Sequence, residues 1–258
     1  MNKKKTGIIQ SVDRALTIVE TMYNAKEELG VTELADIIGL HKSTTFGLLS
    51  TLENRGFVTQ NKDTGKYGLG LKFLEIGTEI LENMDVRQII KPYLRDLSEK
   101  YQETVHFAVE DDNMVVYIDK IESPRALVIK SSIGKRNPMH CTGVGKCLLS
   151  FMSEEKQNEI LKEPLEKYTD NTIVDPKNLN EEIDKIRKNG YSIDNEEIEI
   201  GLRCIAAPIF DYKGELLGGI SISGPSTRMT DERIVELIEP LKSTASKISK
   251  SLGHYKHI

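Results

Sequence analysis

"HKSTTFGLLSTLENRGFV", residues 41–58, decides how the first part of this chain folds. Thr45, Leu48, Leu49 and Leu52 recur at the i, i+3, i+4, i+7 spacing of a helix with one buried face. The opposite face carries Ser43, Thr44, Phe46, Gly47, Ser50 and Thr51, with no carboxylate before Glu53. A solvated face ordinarily mixes charges, whereas a face that meets phosphates excludes carboxylates. Two readings stand at this point: a helix that reads DNA, or an amphipathic helix with a lysine at its start.

Working outward, Thr32 is expected to cap a short helix, "ELADIIGL", with Leu34, Ile37 and Ile38 inward and Gly39 stopping it. Two short helices joined by a tight glycine turn form the helix-turn-helix pattern. Upstream, Ser11 is expected to cap a helix carrying Val12, Ala15, Leu16 and Val19. Downstream, "FVTQNKDTGKYGLG" reads as two short strands about a turn at 61–65, a hairpin with a basic tip. The sum is a winged helix-turn-helix domain over 1–70, with 1–10 a basic arm bearing Lys3, Lys4 and Lys5. A connector helix over 71–85 follows, with Leu71, Phe73, Leu74, Ile76 and Ile80 as its apolar positions.

Residues 86–258 read as a second, α+β domain. After a helix to about residue 101 come the strand-like runs "ETVHFAVE", "NMVVYIDKIE" and "ALVIKSS", then a glycine-rich loop and helix, "GKRNPMHCTGVGKCLLSFM". Helices near 153–162 and 179–188 precede two strands, "LRCIAAPIFD" and "ELLGGISISG", about a turn at Tyr212-Lys213-Gly214. A long helix over 230–252 ends the pattern. Strands joined by turns favour an antiparallel sheet flanked by helices.

The totals bound the function classes. The chain has 258 residues, enough for one or two domains with a sizeable core. No apolar run approaches the ~20 residues of a membrane span. The basic start, "MNKKKTG", lacks the apolar stretch of a signal peptide, so a cytoplasmic protein is expected. Three cysteines suggest free thiols rather than a disulfide scaffold. The net charge of -5 is uneven: residues 1–75 carry +1 and the remainder -6, which permits a DNA-facing patch on the first segment.

Both halves resemble one family, the IclR-type bacterial transcriptional regulators. The resemblance is carried by "SVDRALTIVE", "VTELADIIGLHKSTTFGLLSTLENRGFV" and "YGLG", then by "NPMHCTGVGKCLLSF" and "GYSIDNEEIEIGLRCIAAPIFDYKGELLGGISISGPSTRMTDER". It spans nearly the whole chain. It implies a winged helix-turn-helix domain joined by a linker helix to a GAF-like effector domain, and a homodimer or homotetramer on double-stranded operator DNA. No cofactor, metal or membrane partner is expected. One departure matters. Phe46-Gly47 stands where the family pattern usually has a polar or aromatic residue and an arginine, which removes a phosphate or guanine contact. Gly47 admits close approach of backbone to DNA with Phe46 on a thymine methyl; equally, Phe46 packs in the core and Gly47 is neutral.

The DNA-facing candidates are Lys42, Ser43 and Thr44 at the helix start, where free N–H groups favour a phosphate, then Phe46, Gly47, Ser50 and Thr51, and Lys62 and Lys66 on the wing. Ser43 is also a candidate N-cap. The resemblance implies an effector site at Gly143, Val144, Asp194, Cys204, Ser221 and Ser223, taking a small organic acid. Strand alternation puts Cys204 opposite to Arg203, and Ser221 and Ser223 on one face with Ile220 and Ile222 behind. The N–H groups of 142–145 can receive a carboxylate. Ile129, Met139 and Leu202 are the candidate wall, and no arginine or lysine clearly joins them. Asp194 is an acceptor for the site or a turn residue. Three other readings are open to these residues. A thiol enzyme would use Cys204 with Asp194 and His106 or His140. A metal site would use His140, Cys141 and Cys147, whose spacing fits no zinc pattern. A ligand-independent regulator would use the second domain only to dimerise.

Overall fold

In the computed structural model, residues 7–82, 85–126, 131–162 and 164–255 are described. The chain divides into two compact units, residues 1–84 and 85–258. The basic arm at Lys3–Lys5 and the wall position Ile129 lie outside the described residues.

The first unit contains helices α1 (Gln10–Ala25), α2 (Val31–Ile38) and α3 (Lys42–Asn54), strands β1 (Val58–Gln60) and β2 (Tyr67–Leu69), and helix α4 (Lys72–Glu82). Ile18, Met22, Leu29, Leu34, Leu49, Val58 and Tyr67 form its core, with Leu48 and Leu52 half-buried against it. Thr45 is fully buried at the start of this stripe. β1 and β2 pair antiparallel, Val58 opposite Leu69, and make the wing. Two expected caps are not used. α1 begins before Ser11, with Ile9 at its N-cap and no side-chain cap. α2 begins before Thr32, because Glu33 Oε2 accepts the Gly30 N–H at 2.6 Å and sets the helix start there. Gly39 does end α2, in the left-handed conformation (φ 67°) that costs glycine least.

The second unit opens with α5 (Val86–Tyr101), capped by Asp85, then β3 (Thr104–Asp111), β4 (Met114–Ile121) and β5 (Arg136–Pro138). There follow α6 (Gly143–Phe151), α7 (Glu154–Ile160), α8 (Pro176–Asn189), β6 (Ser192–Asn195), β7 (Leu202–Phe210), β8 (Leu216–Pro225) and α9 (Asp231–Ser251). Thr230 Oγ1 accepts from the Arg233 N–H and caps α9. Among the described residues the strands form one antiparallel sheet, ordered β5-β4-β3-β8-β7-β6. α6 and α8 cover one face, with Val144, Cys147, Leu148, Leu149, Leu179 and Ile183 packed on Ala108 and Ala206. α5 and α9 cover the other, over buried Ile205, Ile220 and Ile222. Two strands differ from the sequence reading. β5 lies inside what reads as a glycine loop, and β6 makes Asp194 a strand residue rather than a turn residue. Both are short edge strands, whose pairing is set by the neighbouring strand more than by their own pattern.

Candidate functional site

The first candidate surface is the outer side of α3. Lys42, Ser43 and Thr44 are exposed, no acidic residue lies in the first turn, and the first intrahelical bond is Thr45 N–H to His41 carbonyl. Three N–H groups therefore point outward at the positive end of the helix dipole. The N-cap is His41, without a side-chain bond, so the capping role expected of Ser43 does not occur. Phe46 is 55% exposed, which overturns the reading that it packs in the core. Nothing within 4 Å would meet a Cβ on Gly47, so the packing of this unit does not demand glycine there. Thr51 is exposed with its hydroxyl donated to the Gly47 carbonyl, and Ser50 is half-buried. In the wing, Asn61 Oδ1 accepts the Asp63 and Thr64 N–H groups and presents Lys62 outward. Lys66 differs: its Nζ lies 3.5 Å from Glu33 Oε2, so it braces the wing on α2.

The second is a recess where the N-terminus of α6 meets the sheet. Strand register aligns Asp194, Cys204, Ser223 and Thr104 across β6, β7, β8 and β3. The next row on the same face holds Ser192, Ala206, Ser221 and His106. Above these rows sits the first turn of α6. A Cβ built on Gly143 would lie 3.2 Å from Cys204 Cβ and 3.5 Å from Asp194 Cβ, so glycine permits this approach. Thr142 caps the helix by accepting the Gly145 N–H, and Ser192 Oγ donates to the Gly143 carbonyl at 2.5 Å. This leaves the Gly143 and Val144 N–H groups without an intrahelical partner. Gly143, Val144, Asp194, Cys204, Ser221 and Ser223 all line the recess.

Several lining residues are not among the expected effector positions, with His106 expected only as a partner of a thiol nucleophile. His106, Tyr117, Asn137 and Lys135 join from β3, β4, β5 and the loop before β5. Lys135 thus corrects the expectation that no lysine belongs here. His106 Nε2 bonds Ser131 Oγ at 2.8 Å, and its ring stacks on Tyr117 at 4.6 Å. Burial, with Lys120 nearby, pushes the His106 pKa down to about 3, so the ring is neutral. Leu202 lines the recess, but Met139 does not: it packs in the core beside Val144 and Cys147. Arg203 turns away, donating to the Met229 carbonyl and Asp231 Oδ1.

The charges behind the recess are unusual. Lys146 and Glu197 form an ion pair with both side chains buried. Asp194 is fully buried; Oδ1 accepts the Glu197 N–H at 2.8 Å, and Oδ2 accepts no hydrogen bond. Burial, opposed by that bond and reinforced by the Glu197 charge, raises its pKa to about 7. Burial beside Asp194 holds the Cys204 thiol well above its ordinary value. A nucleophilic cysteine needs a stabilised thiolate, so this geometry does not support the thiol-enzyme reading. In the "HCTGVGKC" segment, His140 Nε2 is engaged by the Glu166 carbonyl at 2.9 Å, and Cys147 is core.

Comparison with known proteins agrees with this two-part architecture. The IclR helix-turn-helix domain matches residues 11–62, and the bacterial transcriptional regulator IclR C-terminal domain matches residues 78–250. The chain is 36% identical over 255 residues to the HTH-type transcriptional regulator KdgR of Escherichia coli, covering 98% of this chain and 97% of that protein. It is 38% identical over 251 residues to the transcriptional repressor IclR of the same organism, covering 96% and 92%. The crystal structure of the Agobacterium tumefaciens repressor BlcR aligns with a TM-score of 0.79 at 28% identity, covering 95% of this chain and 98% of that one. No described helix is long and apolar enough to cross a membrane. The chain belongs to the IclR family of bacterial transcriptional regulators, a helix-turn-helix DNA-binding protein and not an enzyme.

Proposed function

We propose that this protein represses transcription by binding an operator as a homodimer, and that a small organic acid in the recess of the second unit modulates that binding. The observation that carries the acid reading is the convergence of the free Gly143 and Val144 N–H groups with the Ser221 and Ser223 hydroxyls in one recess. Helix N-termini favour carboxylates, and the serines supply further neutral donors. The repressor reading rests on similarity to the regulators named IclR and BlcR. Dimerisation is supported by α1, whose Val12, Leu16 and Tyr23 are each more than half exposed on a helix that buries Ile18 and Met22 on its other side. Such an apolar stripe favours cover by another surface. The acid binds one arrangement of the dimer better than the other, and the shift is limited by that difference in affinity.

On DNA, Lys42, Ser43 and Thr44 hold a phosphate, Phe46, Gly47, Ser50 and Thr51 face the major groove, and Lys62 meets the backbone beside it. Lys42→Ala is expected to weaken binding about equally on specific and random duplexes. It should also reduce the slope of log affinity against log salt by about one. Fluorescence anisotropy over a salt series reads both quantities, and an unchanged slope would remove Lys42 from the phosphate contacts.

The effector reading is tested by thermal shift against 2-oxo, hydroxy, sugar and aromatic acids, with Ser221→Ala beside the wild type. An acid at 100 times its dissociation constant adds ~2.7 kcal/mol. At roughly 2–4 °C per kcal/mol this is several degrees. The variant should lose the shift and keep DNA binding. If no acid shifts the wild type and none alters DNA affinity, the second unit serves assembly alone.

A further inference from the structure

We propose that the recess takes up its organic acid together with one proton, which resides on Asp194, so that Oδ2 donates to an oxygen of the bound anion. The proposal rests on the reading of the recess as an acid site and adds the protonation state in which it works. Its ground is the charge geometry. The α6 N-terminus, where a carboxylate would lie, packs directly on Asp194: a Cβ built on Gly143 would lie 3.5 Å from Asp194 Cβ and 3.6 Å from its backbone nitrogen. Asp194 is fully buried, lines the recess, and has an oxygen that accepts nothing. An anion seated there would face a second carboxylate without intervening solvent, and like charges at this separation do not both persist in a buried site.

The groups around Asp194 do not relieve the conflict. From α6, Lys146 is already paired to Glu197, so the buried trio carries one negative charge in excess when Asp194 is ionised. From β7, the Cys204 thiol is held neutral by burial, and from the turn before α6 the Cys141 thiol is pushed up to about 12. From β4, burial holds the Tyr117 hydroxyl protonated. From β3, His106 is neutral. Lys120 Nζ, behind His106, is bound to Glu122 Oε1 and the Ser131 carbonyl, each at 2.8 Å. Lys135 and Glu199 at the mouth are charges of opposite sign, and Lys135 is exposed. The simplest way to admit an anion is to neutralise Asp194, which then supplies a donor where there was an unpaired acceptor. In balance, one proton passes from solvent to Asp194 Oδ2 for each anion bound, and no covalent bond within the acid changes. The pKa of about 7 means that this uptake requires little free energy near neutrality. The acids it suits carry a second acceptor oxygen beside the carboxylate, as a 2-oxo or 2-hydroxy acid does.

The test is isothermal titration calorimetry of the full chain with pyruvate and with gluconate, from roughly pH 6 to pH 8.5, in pairs of buffers with different ionisation heats. The expected result is uptake of about one proton at the alkaline end and an affinity that falls about tenfold per pH unit above neutrality. Asp194→Asn, whose amide donates at every pH, should bind with affinity independent of pH and exceed the wild type roughly thirtyfold at the alkaline end. The wild-type proton count stands even if that variant folds poorly. Binding with equal affinity and no buffer dependence across the range overturns the proposal and leaves the acid site intact. Absence of binding by both acids at every pH, roughly pH 6 included, overturns the proposal for 2-oxo and 2-hydroxy acids, and the acid site falls with it only if no acid of the thermal-shift panel binds either.

Discussion

Lys146→Met is expected to destabilise the second unit by about 3–5 kcal/mol, because it leaves the Glu197 carboxylate buried without its cation. Lys146 lies in the first turn of α6 and is 1% exposed. A cation at a helix N-terminus is opposed by the dipole, so its burial there depends on Glu197. The pair is also structural for the recess. Glu197 donates its N–H to Asp194, and its carbonyl accepts the Thr169 and Thr172 hydroxyls, tying the 169–172 turn to the segment after β6. At roughly 2–4 °C per kcal/mol the melting temperature should fall by about 10 °C. Lys146→Met combined with Glu197→Gln should recover a large part of that loss, since no unpaired charge remains. Urea unfolding of the two variants measures the difference. A single variant within about 1 kcal/mol of wild type would mean that Glu197 finds water or a proton at little cost.

Gly145→Ala is the second large effect. Gly145 is the third residue of α6, and its N–H is held by the Thr142 cap. A Cβ there would fall well inside contact of the Met139 carbonyl oxygen and of Thr142 Oγ1, and 2.8 Å from Met139 Cα. Two of those atoms are backbone, so the turn or the helix must move. The cost is about 3 kcal/mol from overpacking, with up to about 1 more if the cap is lost. Because the same turn aims the Gly143 and Val144 N–H groups, the variant should also lose the acid-induced thermal shift. Thermal melting with and without the effective acid reads both results. By contrast, nothing crowds a Cβ at Gly47, and substitution there should leave folding unharmed.

Much of the first unit is legible locally. Thr45, Leu48, Leu49 and Leu52 mark the inner side of α3 by spacing alone, and they meet the core as that spacing requires. Gly39 marks the end of α2 because only a residue without Cβ takes the left-handed turn at little cost. The caps are less legible, since Ser11 and Thr32 are good capping residues that lose to helices begun earlier. In one case a Glu33 side chain reaches back to the Gly30 N–H.

In the second unit, alternation on β7 and β8 places Cys204 against Arg203 and the serines against the isoleucines. That is a local property of extended chain. What alternation does not contain is register and partner. Asp194 faces Cys204 only because a four-residue edge strand pairs there. His106 meets Ser221, 115 positions away, and Lys146 meets Glu197, 51 positions away. The sequence by itself determined the helix-turn-helix, the wing and the faces of the long strands, because each follows from period and turn chemistry within a few residues. Tertiary structure alone decided which charges are buried together and which oxygens are left unpaired, Asp194 Oδ2 and Glu197 Oε2 among them. Desolvation and long-range pairing depend on every element packed around a group, and not on its neighbours in the chain.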